Sequence, residues 1–175
     1  MRMKHQNIQK LVFSALLASL TCVCTMVIQI PGLTTGGYIN LGDSIVLLCA
    51  WYAGGFYGAA AAGIGSMMAD IFSGYAVYAP ATFVIKALMA LAAWAVFKKY
   101  RSHKGQYLGA VVAGLIMMTG YLLFEAVFMG YGIGAVAAIP GNLVQGFTGC
   151  TAGVFFSYLM EKNTYLRRML HKKES

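Results

Sequence analysis

Three carboxylates and one ammonium sit in parts of this sequence that otherwise read as hydrocarbon. Asp43 and Asp70 bracket an uncharged run, Glu125 lies in "YLLFEAVF", and Lys86 lies inside "PATFVIKALMALAAW". The amides Asn40, Asn142 and Gln145 fall in similar surroundings. Ionisable groups there are expensive and ordinarily face one another or a wet cavity. Three kinds of chemistry are open to them. They can pair, as Asp70 with Lys86; they can hydrogen-bond a bound polar molecule; or they can handle protons, with Asp70 and Glu125 as the acid/base pair of a small intramembrane enzyme or as proton sites of a stand-alone carrier. Asp43, directly after "NLG", also suits a helix N-terminus, where the dipole favours an acid.

Other chemistry lacks its residues. No Walker motif, HExxH pair or GxSxG elbow occurs. Cys22, Cys24, Cys49 and Cys150 lie in apolar runs without a CxxC pair or a nearby histidine, so they read as small hydrophobes. No metal or cofactor is expected, and His5, His103 and His171, all in basic segments, are given no chemistry.

The elements that must carry these residues are apolar helices. Hydrophobic residues make up 59% of the 175 positions and charged ones 10%, with a mean hydropathy of +0.69, against about 25% charged in an ordinary soluble domain. This is the composition of a single integral membrane domain. The net charge of +8 is clustered at Arg2, Lys4 and Lys10, at Lys98, Lys99, Arg101 and Lys104, and from Lys162 through Arg167, Arg168, Lys172 and Lys173. Clusters at the ends of apolar runs mark cytoplasmic segments rather than a nucleic-acid surface. The first run is about twenty residues with no small-residue cleavage pattern after it, so it reads as a retained helix rather than a signal peptide.

Four spans are clear, at about 9–30, 80–97, 107–128 and 138–160. The stretch from Ser44 to Ile71 is ambiguous, because as one helix it would run about 42 Å, well beyond a hydrocarbon core of about 30 Å. Broken near Gly54 and Gly55 it becomes two helices, 42–54 and 56–72, and every basic cluster then falls on one side. The expectation is an all-α bundle of six transmembrane helices with both termini cytoplasmic.

That topology gathers Asn40, Asp43, Asp70, Lys86, Glu125, Asn142 and Gln145 into the outer half, Lys86 about 9 Å below the start of its helix. Tyr38, Tyr75, Tyr78 and Tyr131 fall in outer connections. The inner half shows no comparable set. A one-sided cluster suggests a pocket open to the outside rather than a channel, which would place polar groups along its whole path. Small residues four apart, Ser14/Ala18 and Ala15/Ser19 in the first helix and Gly58/Ala62 and Ala59/Gly63 further on, allow close helix approach, either within the bundle or against another membrane subunit.

The stretch "GGYINLGDSIVLLCAWYAGGFYGAAAAGIGSMMADIFSGYAVYAPATFVIKAL" resembles the signature region of the substrate-binding S components of energy-coupling factor (ECF) transporters, in the branch for riboflavin-, pyridoxine- and hydroxymethylpyrimidine-type uptake. The likeness is carried by "NLGD" (Asn40 to Asp43), Ala69 and Asp70, "SGY" (Ser73 to Tyr75) and "PATFVIK" ending at Lys86. It implies a vitamin-binding protein of the bacterial cytoplasmic membrane, not an enzyme, that docks to a transmembrane T component and two ATPase subunits. It also implies a ligand near the outer face, expected at Asn40, Asp43, Asp70, Tyr75, Tyr78, Lys86, Glu125, Asn142 and Gln145. The small residues of the first helix, Ser14, Ala15, Ala18 and Ser19, are the implied docking face. Three carboxylates against one lysine disfavour an anionic, phosphorylated ligand. A B6 vitamer or a hydroxymethylpyrimidine-like heterocycle fits best, with riboflavin as the alternative.

Overall fold

The computed structural model describes residues 2–31 and 38–162, with side chains from residue 7 onward. Residues 32–37 of the first connection, the basic residues Arg167, Arg168, Lys172 and Lys173, and His171 lie outside the described residues, as do the side chains of Arg2, Lys4 and His5.

Helix α1 (Arg2–Val27) leads into a two-stranded antiparallel hairpin, β1 (Gln29–Pro31) and β2 (Tyr38–Asn40), paired Gln29 to Asn40 and Pro31 to Tyr38. α2 (Gly42–Leu48) continues as a π-helical turn over Cys49–Ala53. α3 (Gly55–Phe72), α4 (Ala79–Tyr100) and α5 (His103–Leu123) follow, α5 also ending in a π-helical turn, Phe124–Phe128. A 3-10 helix, Gly132–Ala138, precedes α6 (Ile139–Lys162).

The break between α2 and α3 falls at Gly54 and Gly55, whose φ angles of 67° and 47° are left-handed values that glycine takes without strain. α4 starts with a proline in its first turn, and Ser102 caps α5 by accepting from the Gly105 amide at 3.3 Å.

The helices close a ring in the order α1, α3, α4, α5, α6, α2. Every residue of α2 is buried, because "GDSIVLL" packs on α1, α3, α4 and α6 at once. Close approach is bought with glycine: Gly149 of α6 faces α2 so tightly that a Cβ there would lie 2.6 Å from that of Asp43, and Gly65 of α3 leaves no room for one against the Ala18 backbone. Val46, Leu47, Met89 and Met117 fill the centre.

Four segments are long and apolar enough to cross a membrane: Asn7–Val27, Ala79–Tyr100, His103–Phe128 and Gly132–Lys162. The apolar Gly42–Ala53 segment is shorter, about 18 Å, and its burial supplies the shielding that a short helix in lipid requires. The outward faces of the long helices carry Leu11, Leu16, Val84, Val111 and Phe155, as a lipid-facing surface would. The fold is thus an α-helical bundle of membrane type.

Candidate functional site

Chain direction places the β-hairpin, the start of α2, the end of α3, the start of α4, the end of α5 and the start of α6 at one end of the bundle. A cavity of about 370 Å³ opens there. Six of the residues expected at the ligand line it: Asn40, Asp70, Tyr78, Glu125, Asn142 and Gln145. Tyr38, Thr82 and Tyr121 add to its polar lining, and Ile30, Pro31, Ile39, Ala137, Ala138 and Pro140 to its apolar lining.

The polar groups are tied together. Tyr38 donates to Asp70 Oδ1 at 2.6 Å and packs on Tyr75 with ring centroids 4.5 Å apart. Burial, and then the Asp70 charge, pushes the Tyr38 phenol above its ordinary pKa, so it stays a donor. Gln29 donates to Ser73 Oγ at 2.8 Å, a second tie between hairpin and α3 end. Tyr78 donates to Glu125 Oε1 at 3.3 Å, and the Thr82 and Tyr121 hydroxyls share a 3.0 Å hydrogen bond. The π-helical turn carries Glu125 to the wall beside Tyr121 one turn earlier.

Below the cavity lies an ion pair, with a different partner from the one the sequence left open for Lys86. Lys86 binds Asp43, not Asp70. The cause is depth: tight packing on Gly149 sets Asp43 within the bundle, level with the second turn of α4, whereas Asp70 ends α3 beside the hairpin. Gln145 spans the two levels, donating to Asp43 Oδ2 at 2.9 Å and accepting from the Asn40 backbone N–H at 3.0 Å. Asp43 and Lys86 therefore lie outside the lining, as does Tyr75, which backs Tyr38. Tyr131 is 42% exposed and away from the cavity.

Sequence reasoning missed Thr82 and Tyr121. Both were readable: each stands four residues before a flagged charge, Lys86 and Glu125, and so shares its helix face. The expectation that the inner half holds no comparable polar set is corrected. At the opposite end Gln106 donates to Ser157 Oγ at 2.8 Å and to Glu161 Oε1 at 3.1 Å, Tyr52 bonds Ser157 at 2.8 Å, and His103 Nδ1 lies 3.1 Å from Gln106 Oε1. α5 begins at His103 rather than near residue 107, which puts Gln106 inside the bundle.

On α1, Ser14 is buried and Ala18 packs on α3, while Ala15 and Ser19 are exposed. Among the described residues no group of three or more His, Cys, Asp or Glu side chains could hold a metal ion.

The chain matches, over residues 5–162, the family described as ECF-type riboflavin transporter, S component. It is 36% identical over 142 residues to a Pyrococcus woesei protein described as an uncharacterized protein in a gap 3′ region, covering 80% of this chain and 93% of that one. Its fold is similar to a solved structure reported as the S component of a bacterial ECF transporter, with a TM-score of 0.74 at 22% identity over 89% of this chain and 97% of that chain.

Proposed function

We propose, for a chain that belongs to the family of ECF-type riboflavin transporter S components, that it captures a neutral vitamin of riboflavin class in the hairpin-end cavity and delivers it with a T component and two ATPases. The observation that carries this reading is the cavity itself. At about 370 Å³ it falls in the range of small-molecule sites, larger than one pyridine or pyrimidine ring needs. Its apolar lining suits a flat ring system, and its phenols, amides and carboxylates suit hydroxyls and ring edges. The preference among ligands therefore moves from the single-ring heterocycles to riboflavin. A B6 vitamer or hydroxymethylpyrimidine-like ligand is the second reading, favoured by the carboxylates of Asp70 and Glu125, which suit a protonatable ring nitrogen.

On this reading Asp70 and Glu125 serve recognition rather than catalysis. All six helical passes lie in the bacterial cytoplasmic membrane, with the hairpin outside and both termini in the cytoplasm, because Lys98, Lys99, Arg101, Lys104 and Lys162 share the far end. Docking to the T component falls to the exposed Ala15 and Ser19 rather than to Ser14 and Ala18, which are committed to the bundle.

Mass spectrometry of small molecules released from the purified chain tests the ligand: a flavin supports the reading, and a pyridine or pyrimidine vitamer replaces it with the second. Loss of co-purifying T component in Ala15→Trp, with ligand retained, tests the docking face; normal assembly would discard it.

A further inference from the structure

The end away from the cavity carries a one-sided charge. Lys98 and Lys99 stand in the last turn of α4, Arg101 follows as its cap, and Lys104 stands in the first turn of α5. Glu161, the one acid among the described residues at that end, is turned to Gln106 and Ser157. Glycine brings the two helices close there: a Cβ at Gly105 would lie 2.9 Å from that of Tyr100, and one at Gly109 would lie 3.0 Å from the Ala93 carbonyl oxygen. The cations of both helices are thereby gathered at one turn.

What lies below them on both helices is apolar and exposed. On α4, Val84, Leu88 and Leu91 recur at helical spacing, and the same stripe ends at Lys98. On α5 a stripe begins at Lys104 and runs on through Leu108, Val111 and Leu115. Aromatic rings mark the level of the cations, as they do where a span meets the headgroups. Lys98 Nζ lies 5.0 Å from the centre of the Trp94 ring, and Lys99 Nζ 5.5 Å from that of Tyr100. Both ammonium groups are thus held along the rim of the bundle. An ammonium above an apolar stripe is matched by an anion above an acyl chain. A soluble anion would use the ammonium groups alone, and an acidic protein surface would leave the stripes uncovered.

We propose that the α4–α5 turn and the two stripes below it seat an anionic phospholipid: Lys98 and Lys104 hold its phosphate, and its acyl chains lie along α4 and α5. The proposal rests on the membrane-type fold and not on what the cavity binds, so the vitamin reading and this one fail separately.

Trp94 supplies the readout, because it is half-buried beside Lys98 whereas Trp51 is buried. The full-length chain is placed in phosphatidylcholine vesicles, and quenching of its tryptophan fluorescence is compared for phosphatidylglycerol and phosphatidylcholine carrying the same brominated chains. Phosphatidylglycerol should be preferred about twenty-fivefold, about fivefold for each of the two ammonium groups, and Lys98→Gln or Lys104→Gln should each reduce the preference to about fivefold. Lys104→Gln leaves the Trp94 surroundings intact and suffices if Lys98→Gln fails to fold. Lys10→Gln removes an exposed cation from α1, which neighbours α2 and α3 in the ring, and should leave the preference unchanged. Glycerol 3-phosphate, the anion without chains, should not relieve the quenching. Equal quenching by the two lipids, an equal loss in Lys10→Gln, or relief by glycerol 3-phosphate overturns the proposal, the last because the stripes would then contribute nothing. Variants that keep the lipid preference but lose a co-purifying T component or ATPase overturn it too, and assign the turn to a protein contact.

Discussion

The two ends of the bundle bury the same kinds of side chain and do opposite things with them. At the end away from the hairpin, Tyr52, Gln106, Ser157 and Glu161 meet in one closed set of hydrogen bonds from α2's π-helical turn, α5 and α6. Donors and acceptors there satisfy one another. At the hairpin end, Tyr38, Asp70, Tyr78, Thr82, Tyr121 and Glu125 stand around a void of about 370 Å³. The difference lies in what fills the middle. Gly149 and Gly153 let α6 press onto α2 below the cavity, whereas the hairpin, the 3-10 helix and Pro140 hold the chain apart above it. Polar residues in a membrane bundle thus indicate a ligand site only where packing leaves space beside them; without that space they staple helices.

The Asp43–Lys86 pair divides the two regimes and should give the largest effect. Lys86→Met strands a buried carboxylate, at a cost of about 3–5 kcal/mol. Lys86→Met combined with Asp43→Leu should recover much of it. Thermal and denaturant unfolding in detergent measures both, and a Lys86→Met chain as stable as the native one would mean that the division is not electrostatic.

Substituting one residue at each end sharpens the comparison. Asn142→Ala, on the cavity wall, should weaken ligand binding about ten- to hundredfold, the equivalent of about 1.5–3 kcal/mol, and leave unfolding nearly unchanged. Gln106→Ala should do the reverse. It removes a 1% exposed amide that bonds Ser157 and Glu161, which costs about 1–3 kcal/mol of stability, with affinity altered less than about twofold. Affinity lost in Gln106→Ala without loss of stability would show the two ends to be coupled.

Much of the cavity end was legible because charges and amides in apolar sequence are conspicuous, and because Gly54 and Gly55 fixed the parity that brings their helices to one end. The membrane-type helical fold, the break in the ambiguous stretch and six of the lining residues could be read this way. Depth could not. Whether Lys86 meets Asp43 or Asp70 depends on how closely α2 approaches α6, a matter of Gly149 facing Asp43 across 106 residues of chain. Thr82 and Tyr121 were lost for a different reason: a hydroxyl in a helix raises no hydropathy alarm, and only its spacing to Lys86 or Glu125 marks it. The far network was hidden because Gln106 and Glu161 lie beside basic, solvent-like sequence, where amides and acids are ordinary.

The smallest effect belongs to the rim of that far network. His103 Nε2 lies 3.8 Å from Glu161 Oε2, with side chains 61% and 33% exposed. At that distance and exposure, solvent screens the attraction, and holding both side chains in place offsets part of what remains, so His103→Gln should change stability by less than about 0.5 kcal/mol. The interior bonds of Gln106 to Ser157 and Glu161 do not depend on the imidazole charge. Raising salt should likewise leave the unfolding midpoint of the native chain almost unmoved at this end. A His103→Gln chain that loses as much stability as Gln106→Ala would show that the closed network is held from its exposed edge. The contrast with the cavity end would then rest on one surface pair rather than on the buried amide.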